Sequence, residues 1–326
     1  MVVYSHSVYI GYFFKKVPSF TFMAFNNSKE NLAGIAVGGF FVLSGYLITA
    51  SYLKTKSVFR FLWKRFLRVF PGYWFCLLVS AFILGPFAFF IQEKNLVNYF
   101  NFQSNSPFSY IYKNFFLFQI QNNIANSFSH NFIQFHFNDS LWTLFYEFIC
   151  YLSLVFLGTL GIFKKPKKII LGIFIILWLT FNLFFTRANM SYYPFITFKL
   201  FTYFYMGAVF YLFRDQIILD KIIMFFLLLI TIGFIYIQQF FLIAPFVIAY
   251  SLFMAIDKIH INNFDRFGDF SYGLYLFAFP IGQILAALGI DKLGFFIFYT
   301  LTILLGTDMA VISFWLIESR FLKLKK

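Results

Sequence analysis

The sequence predicts an all-α protein, a polytopic membrane helix bundle of about ten transmembrane helices forming a single domain over residues 1–326. Three observations predict it. Apolar residues make up 61% of the chain and charged residues only 12%, a balance that leaves too little polar surface to cover a soluble domain of this length. The mean hydropathy is +0.78. The apolar runs approach the ~20 residues that a helix needs to cross the hydrocarbon, and the cations collect between them.

The predicted spans cover residues 1–14, 32–53, 70–92, 141–163, 169–186, 196–213, 222–237, 240–256, 270–290 and 294–316. The first is a short apolar start without a signal-peptide cleavage site, so the hydrophobic segments act as their own insertion signals. Several fall short of full length, so those helices are tilted, tightly packed or mis-bounded. Residues 58–69 read as an amphipathic interfacial helix that leads into the third span at Pro71. The longest connection, 93–140, is rich in Asn, Gln, Ser and Phe and is read as an outer segment, with IYKNFFLFQI lying in the interface. No internal repeat of the transporter kind is visible. The abundance of Phe, Ile, Asn and Lys is what an AT-rich genome produces and marks no site.

The formal net charge of +14 would suit nucleic acid, but the distribution excludes it: the cations sit in clusters between hydrophobic runs. With the SRFLKLKK terminus placed inside, 18 Lys and Arg fall on the cytoplasmic face, among them Lys54, Lys56, Arg60, Lys64, Arg65, Arg68, the KKPKK run, Arg214, Lys221, Lys258, Arg266 and Lys326, against 8 elsewhere. The positive-inside bias thus puts both termini in the cytoplasm. Cys76 and Cys150 lie in apolar runs and read as buried free thiols, with no disulfide or Cys-based metal site.

Few residues carry chemistry in such a chain. In KRFLRVFP, residues 64–71, a helical register puts Arg60, Lys64 and Arg68 on one face with Arg65 beside them. These cations either anchor the helix at the membrane surface or clamp a phosphorylated ligand, since Arg forks fit phosphate. In YSHSVY, His6 stands within an apolar segment, where it is either a general base or a histidine satisfied by a neighbouring helix. In SLWTLFYEFICYL, Thr143, Glu147 and Tyr151 share a helix face with Cys150 beside it; Glu147 either orients a base or serves as a hydrogen-bond hub. The small residues of AVGG and FFVLSGYLI allow close helix packing; Ser44 lacks a nucleophile elbow. His130 and His136 are too loosely spaced to specify a metal. Lys199 and Asp308 are further intramembrane charges that could pair with each other, though nothing in the sequence shows it.

Taken in order, these pieces resemble the acyltransferase-3 family of bacterial integral-membrane acyltransferases. FFVLSGYLI resembles its Phe-Phe-x-x-Ser-Gly helix, RFLRVFP its Arg-x-x-Arg before Pro, and SLWTLFYEFICYL its Leu-Trp-Ser-Leu-x-x-Glu segment. SYGLYLFAFPI resembles the late Ser-Tyr-x-x-Tyr-Leu-x-His-x-Pro helix, and FWLIESRFLKL the closing Ile-Glu-x-Pro-Phe. The resemblance spans nearly the whole chain. It implies transfer of an acyl group, usually acetyl, from cytosolic acyl-CoA to a hydroxyl of a surface glycan or its lipid-linked precursor, in the bacterial cytoplasmic (inner) membrane. Acyl-CoA is then a donor substrate, with no permanently bound cofactor and no metal. By resemblance, Arg65 and Arg68 hold the CoA phosphates, and His6, the catalytic histidine, and Glu147, the acid of the Trp helix, are the catalytic residues. Ser44, Trp142 and Tyr275 support the site.

Two departures stand out. The family carries a basic residue about one helical stretch before its histidine, whereas only five residues precede His6, so the first helix reads as truncated: a start placed too late, or an inactive copy. Ala278 stands where the family often has His. The rival from another class is a glycan transporter or flippase, which would also use intramembrane charges and a long outer segment but would bind no CoA.

Overall fold

The computed structural model describes residues 1–13, 30–55, 57–101, 104–186, 192–258 and 268–325. Phe14 of the first predicted span and the cations Lys56, Arg266 and Lys326 lie outside them, as does the side chain of Lys258. Helices are the only extended regular elements among the described residues. In chain order they are α1 (Val2–Ile10), α2 (Leu32–Lys54), α3 (Val58–Glu93), α4 (Pro107–Asn114), α5 (Trp142–Thr159), α6 (Lys168–Phe185), α7 (Tyr192–Leu212), α8 (Lys221–Tyr236), α9 (Phe240–Lys258), α10 (Ser271–Ala287) and α11 (Phe295–Lys325). Seven of them, α2, α3, α5, α6, α7, α9 and α11, are long and apolar enough to cross a membrane; α8 and α10 are shorter apolar helices. Each predicted span therefore has a helix, and α4 is an addition within the connection 93–140.

The third span departs from expectation. The basic helix and the span are one helix of 36 residues, without a break at Pro71. Proline removes one N–H and crowds the carbonyl four residues back, but its fixed φ suits a helix, and neighbours at membrane depth can re-satisfy what it frees. The Tyr272 hydroxyl donates to the Val69 carbonyl at 2.7 Å, two residues from the Leu67 carbonyl that Pro71 frees. A single wide π-turn at Ser80–Leu84 lies within the same helix. There the Tyr99 hydroxyl donates to the Ala81 carbonyl at 2.6 Å, as expected where a π-turn disturbs the regular ladder.

The chain divides into two compact units, residues 1–21, 62–145 and 264–326 in the first and 22–61 and 146–263 in the second. In the first, α10 packs along α11, and α1 lies against both. Pro280 interrupts α10 and leaves the Leu276 carbonyl without its helical donor. The Asn138 amide donates to that carbonyl at 2.8 Å, pinning the connection 94–141 to the helix.

In the second unit α2 packs closely on α7. A Cβ on Gly45 would fall on the Phe204 carbonyl, and one on Gly207 on the Val42 carbonyl, so the two backbones touch where side chains are missing. The small residues of FFVLSGYLI thus serve packing. Asn31 caps α2, accepting from the Gly34 N–H at 2.9 Å. Beside it Glu30 and Lys199 form an ion pair at 2.6 Å, with side chains only 2% and 5% exposed. Lys199, which the sequence left without a partner, also lies 5.6 Å from the centre of the Phe241 ring. Asp308 is exposed on α11.

Candidate active site

The basic face of α3 meets the start of α10. Arg68 forms an ion pair with Asp269, and its guanidinium lies 5.7 Å from the centre of the Tyr272 ring. Burial pushes the Asp269 carboxyl up, but the Ser271 hydroxyl and backbone N–H and the Arg68 guanidinium outweigh it and hold the pKa below the ordinary value. Asp269 is therefore an anion at neutral pH. Lys64, Arg65 and Arg68 all act electrostatically on Lys325 at the end of α11. Four cations thus gather with Asp269 near Arg68, and like charges so arranged repel unless a polyanion joins them. Close by, Glu318 is buried, accepting from the Ser313 hydroxyl at 2.9 Å. A Cβ on Gly72 would crowd both Glu318 and Tyr272, so α3 approaches here because that side chain is absent.

His6 sits farther along α10. Its imidazole packs edge-on against Phe279, with ring centres 5.1 Å apart, and the hydroxyls of its neighbours Ser5 and Ser7 are buried with no hydrogen-bond partner among the described residues. From Asp269 to Phe279 is ten residues, or about 15 Å along a helix at its usual rise. The structure therefore places His6 and Arg68 along one helix but not in contact.

Between these levels the connection meets α10 again. The Tyr275 hydroxyl donates to the Ser140 carbonyl at 2.5 Å and pairs with the Thr143 hydroxyl. Trp142, half-buried, opens α5 between these two contacts. Cys76 is a buried free thiol within hydrogen-bond reach of Asn138 and the Leu276 carbonyl. His136 pairs with Asp139 at 2.6 Å.

Glu147 and Ser44 belong to the second unit. Glu147 is buried and accepts a hydrogen bond from Tyr151, one turn on, as the shared helix face predicted. Ser44 is buried in α2, its hydroxyl without a hydrogen-bond partner among the described residues. Cys150 is the second buried free thiol.

Over residues 1–315 the sequence matches the family described as "Acyltransferase domain". The chain belongs to the acyltransferase-3 family. It is 27% identical over 305 residues to a protein named O-acetyl transferase from Shigella phage Sf6, an alignment covering 90% of this chain and 86% of that one. No solved structure matches it. For a membrane acyltransferase, the residues that the sequence could not supply are those contributed across long chain separations. Asp269 and Tyr272 lie some 200 residues from Arg68, and Lys325 read only as a topological cation. The acyltransferase motifs were legible because each is local; their mutual placement was not.

Proposed function

We propose that the protein transfers an acyl group, acetyl in the first instance, from cytosolic acyl-CoA to a hydroxyl of a cell-surface glycan or its lipid-linked precursor. Family membership and the relative named O-acetyl transferase support acyl transfer. The observation that carries the donor assignment is the cluster of Lys64, Arg65, Arg68 and Lys325 near the start of α10, with His6 about 15 Å farther along that helix. The CoA phosphates occupy the cluster, in competition with Asp269 for Arg68, and the extended pantetheine arm carries the thioester toward His6. The acceptor hydroxyl oxygen attacks the thioester carbonyl while the His6 imidazole takes its proton. The carbon–sulfur bond then breaks, the acyl ester remains on the glycan, and the departing thiolate recovers the proton from His6. Acyl-CoA is consumed as a substrate, and no resident cofactor or metal takes part. Trp142 and Tyr275 support the site where the connection meets α10; the catalytic role of Glu147 and the supporting role of Ser44 rest on the family pattern alone. On this reading the cluster and both termini face the cytoplasm in the bacterial cytoplasmic membrane, a placement that the positive-inside bias supports.

Charge-assisted hydrogen bonds are worth about 1.5–3 kcal/mol each. Arg65→Ala and Arg68→Ala should therefore each raise the donor KM by about 10-fold or more, with kcat changed far less. Acetyl-CoA saturation curves in isolated membranes measure this. An unchanged donor KM in both variants removes the cluster from donor binding.

A further inference from the structure

The segment between α3 and α5 is not a loop lying beyond the helix ends. Its contacts descend along α3. Tyr99 donates to the Ala81 carbonyl, and the Phe108 ring lies 5.6 Å from that of Phe82. Farther down, the Tyr73 hydroxyl donates to the Asn114 carbonyl at 2.6 Å and the Trp74 indole to the Phe115 carbonyl at 3.0 Å. At the usual helical rise Trp74 is about 28 Å along α3 from Glu93 and about 9 Å from Arg68. The hydrocarbon is about 30 Å thick, so with α3 as a membrane-crossing helix the segment lies alongside it over a comparable length.

It is built as such a segment must be. Irregular backbone at that depth has to satisfy its polar groups within the protein. The Asn114 side chain accepts from the N–H groups of Ile120 and Gln121 and donates to the Gln121 carbonyl. The Gln121 amide donates to the Asn123 carbonyl, and the Asn123 amide to that of Ser127. Phe108, Tyr112, Phe116 and Ile120 form an exposed apolar surface suited to lipid.

His136 and Asp139 break this pattern. They pair at 2.6 Å, yet their side chains remain 41% and 35% exposed. Their neighbours are fixed against α10. Gln283 donates to the carbonyls of Ile133 and His136, Asn131 donates to Gln283, and Asn138 donates to the Leu276 carbonyl. These α10 residues bracket Phe279, on which His6 packs, and the Asp139 carboxylate acts electrostatically on His6. Exposed charged side chains at membrane depth face water rather than lipid, because lipid exposure costs them at least about 2.5 kcal/mol.

We propose that His136 and Asp139 line a water-filled vestibule, entered from the face opposite the Arg65–Arg68 cluster, that brings a polyhydroxylated acceptor to His6. Asp139 accepts a hydrogen bond from an acceptor hydroxyl, and His136 holds the carboxylate in place. The acceptor role rests on the acyl-transfer reading above; the vestibule does not.

The test separates the two. His136→Cys and Asp139→Cys are each exposed, in spheroplasts, to a membrane-impermeant maleimide. The wild type serves as blank, since Cys76 and Cys150 are buried, and SDS-denatured samples give the total thiol. Both variants should label from the outer face. If one fails to insert, the other decides. Labelling only in SDS, or only from the cytoplasmic face of inverted vesicles, overturns the vestibule. In a complemented strain Asp139→Asn should lower glycan acylation by about 10-fold, the loss expected for a hydrogen bond to a charged group. Full acylation with outer-face labelling overturns the acceptor role. Outer-face labelling in a strain whose glycan acylation is indifferent to the whole gene leaves the vestibule standing and removes the acyl-transfer reading instead.

Discussion

Replacing His6 with alanine is expected to abolish acyl transfer, lowering turnover by the factor of about 10²–10⁴ that a positioned general base supplies. His6 packs edge-on to Phe279 and lies in the field of Asp139. A sugar hydroxyl is a poor nucleophile at neutral pH until its proton is taken as it attacks, and no other described group beside Phe279 has been assigned that task. The donor KM should stay within a few-fold, since His6 is about ten residues of helix from the cation cluster. His6→Asn, which keeps size and polarity without the basicity, should fail equally; this separates a lost base from a lost contact. Formation of free CoA thiol in isolated membranes measures both variants. Full turnover in His6→Ala removes the residue from catalysis.

The second large effect is on stability. Lys199→Met leaves the Glu30 carboxylate buried without its partner, and removing one member of a buried pair costs about 3–5 kcal/mol. Thermal unfolding of the detergent-solubilised protein should show a clear fall in Tm. The double variant Glu30→Leu/Lys199→Met should recover much of it, because the desolvation penalty of both charges disappears together. A Tm unchanged by Lys199→Met would mean that the pair contributes nothing to holding the end of α2 against α7.

What the sequence made legible follows from what is local. Hydrophobic run length found a helix for every span, though α3 begins twelve residues earlier and α11 ends nine residues later than it implied, and the small residues of α2 announced the close contact that Gly45 and Gly207 make. The face shared by Glu147 and Tyr151 needed only the helical period, and the structure joins them by a hydrogen bond. Pro71 misled because proline disfavours helices in water, whereas a buried membrane helix can carry one proline with its neighbours compensating. Glu30 was overlooked as a polar residue in NSKENL, since its partner is 169 positions away. The connection 93–140, rich in Asn and Gln, reads as an outer segment from the topology that the Lys and Arg count sets. The Asn114, Gln121 and Asn123 amides instead donate to backbone carbonyls of the same connection. Composition cannot distinguish an amide that faces water from one that replaces it.

The central claim, acyl transfer to a surface glycan, is tested most directly by the acyl-ester content of that glycan, measured by mass spectrometry and proton NMR. Three strains are compared: one lacking the gene, one complemented with this 326-residue chain, and one complemented with the His6→Ala variant. The account predicts that an acyl ester, acetyl first of all, disappears on deletion, returns with the chain and stays absent with His6→Ala. Identical acyl-ester content in all three strains would contradict it.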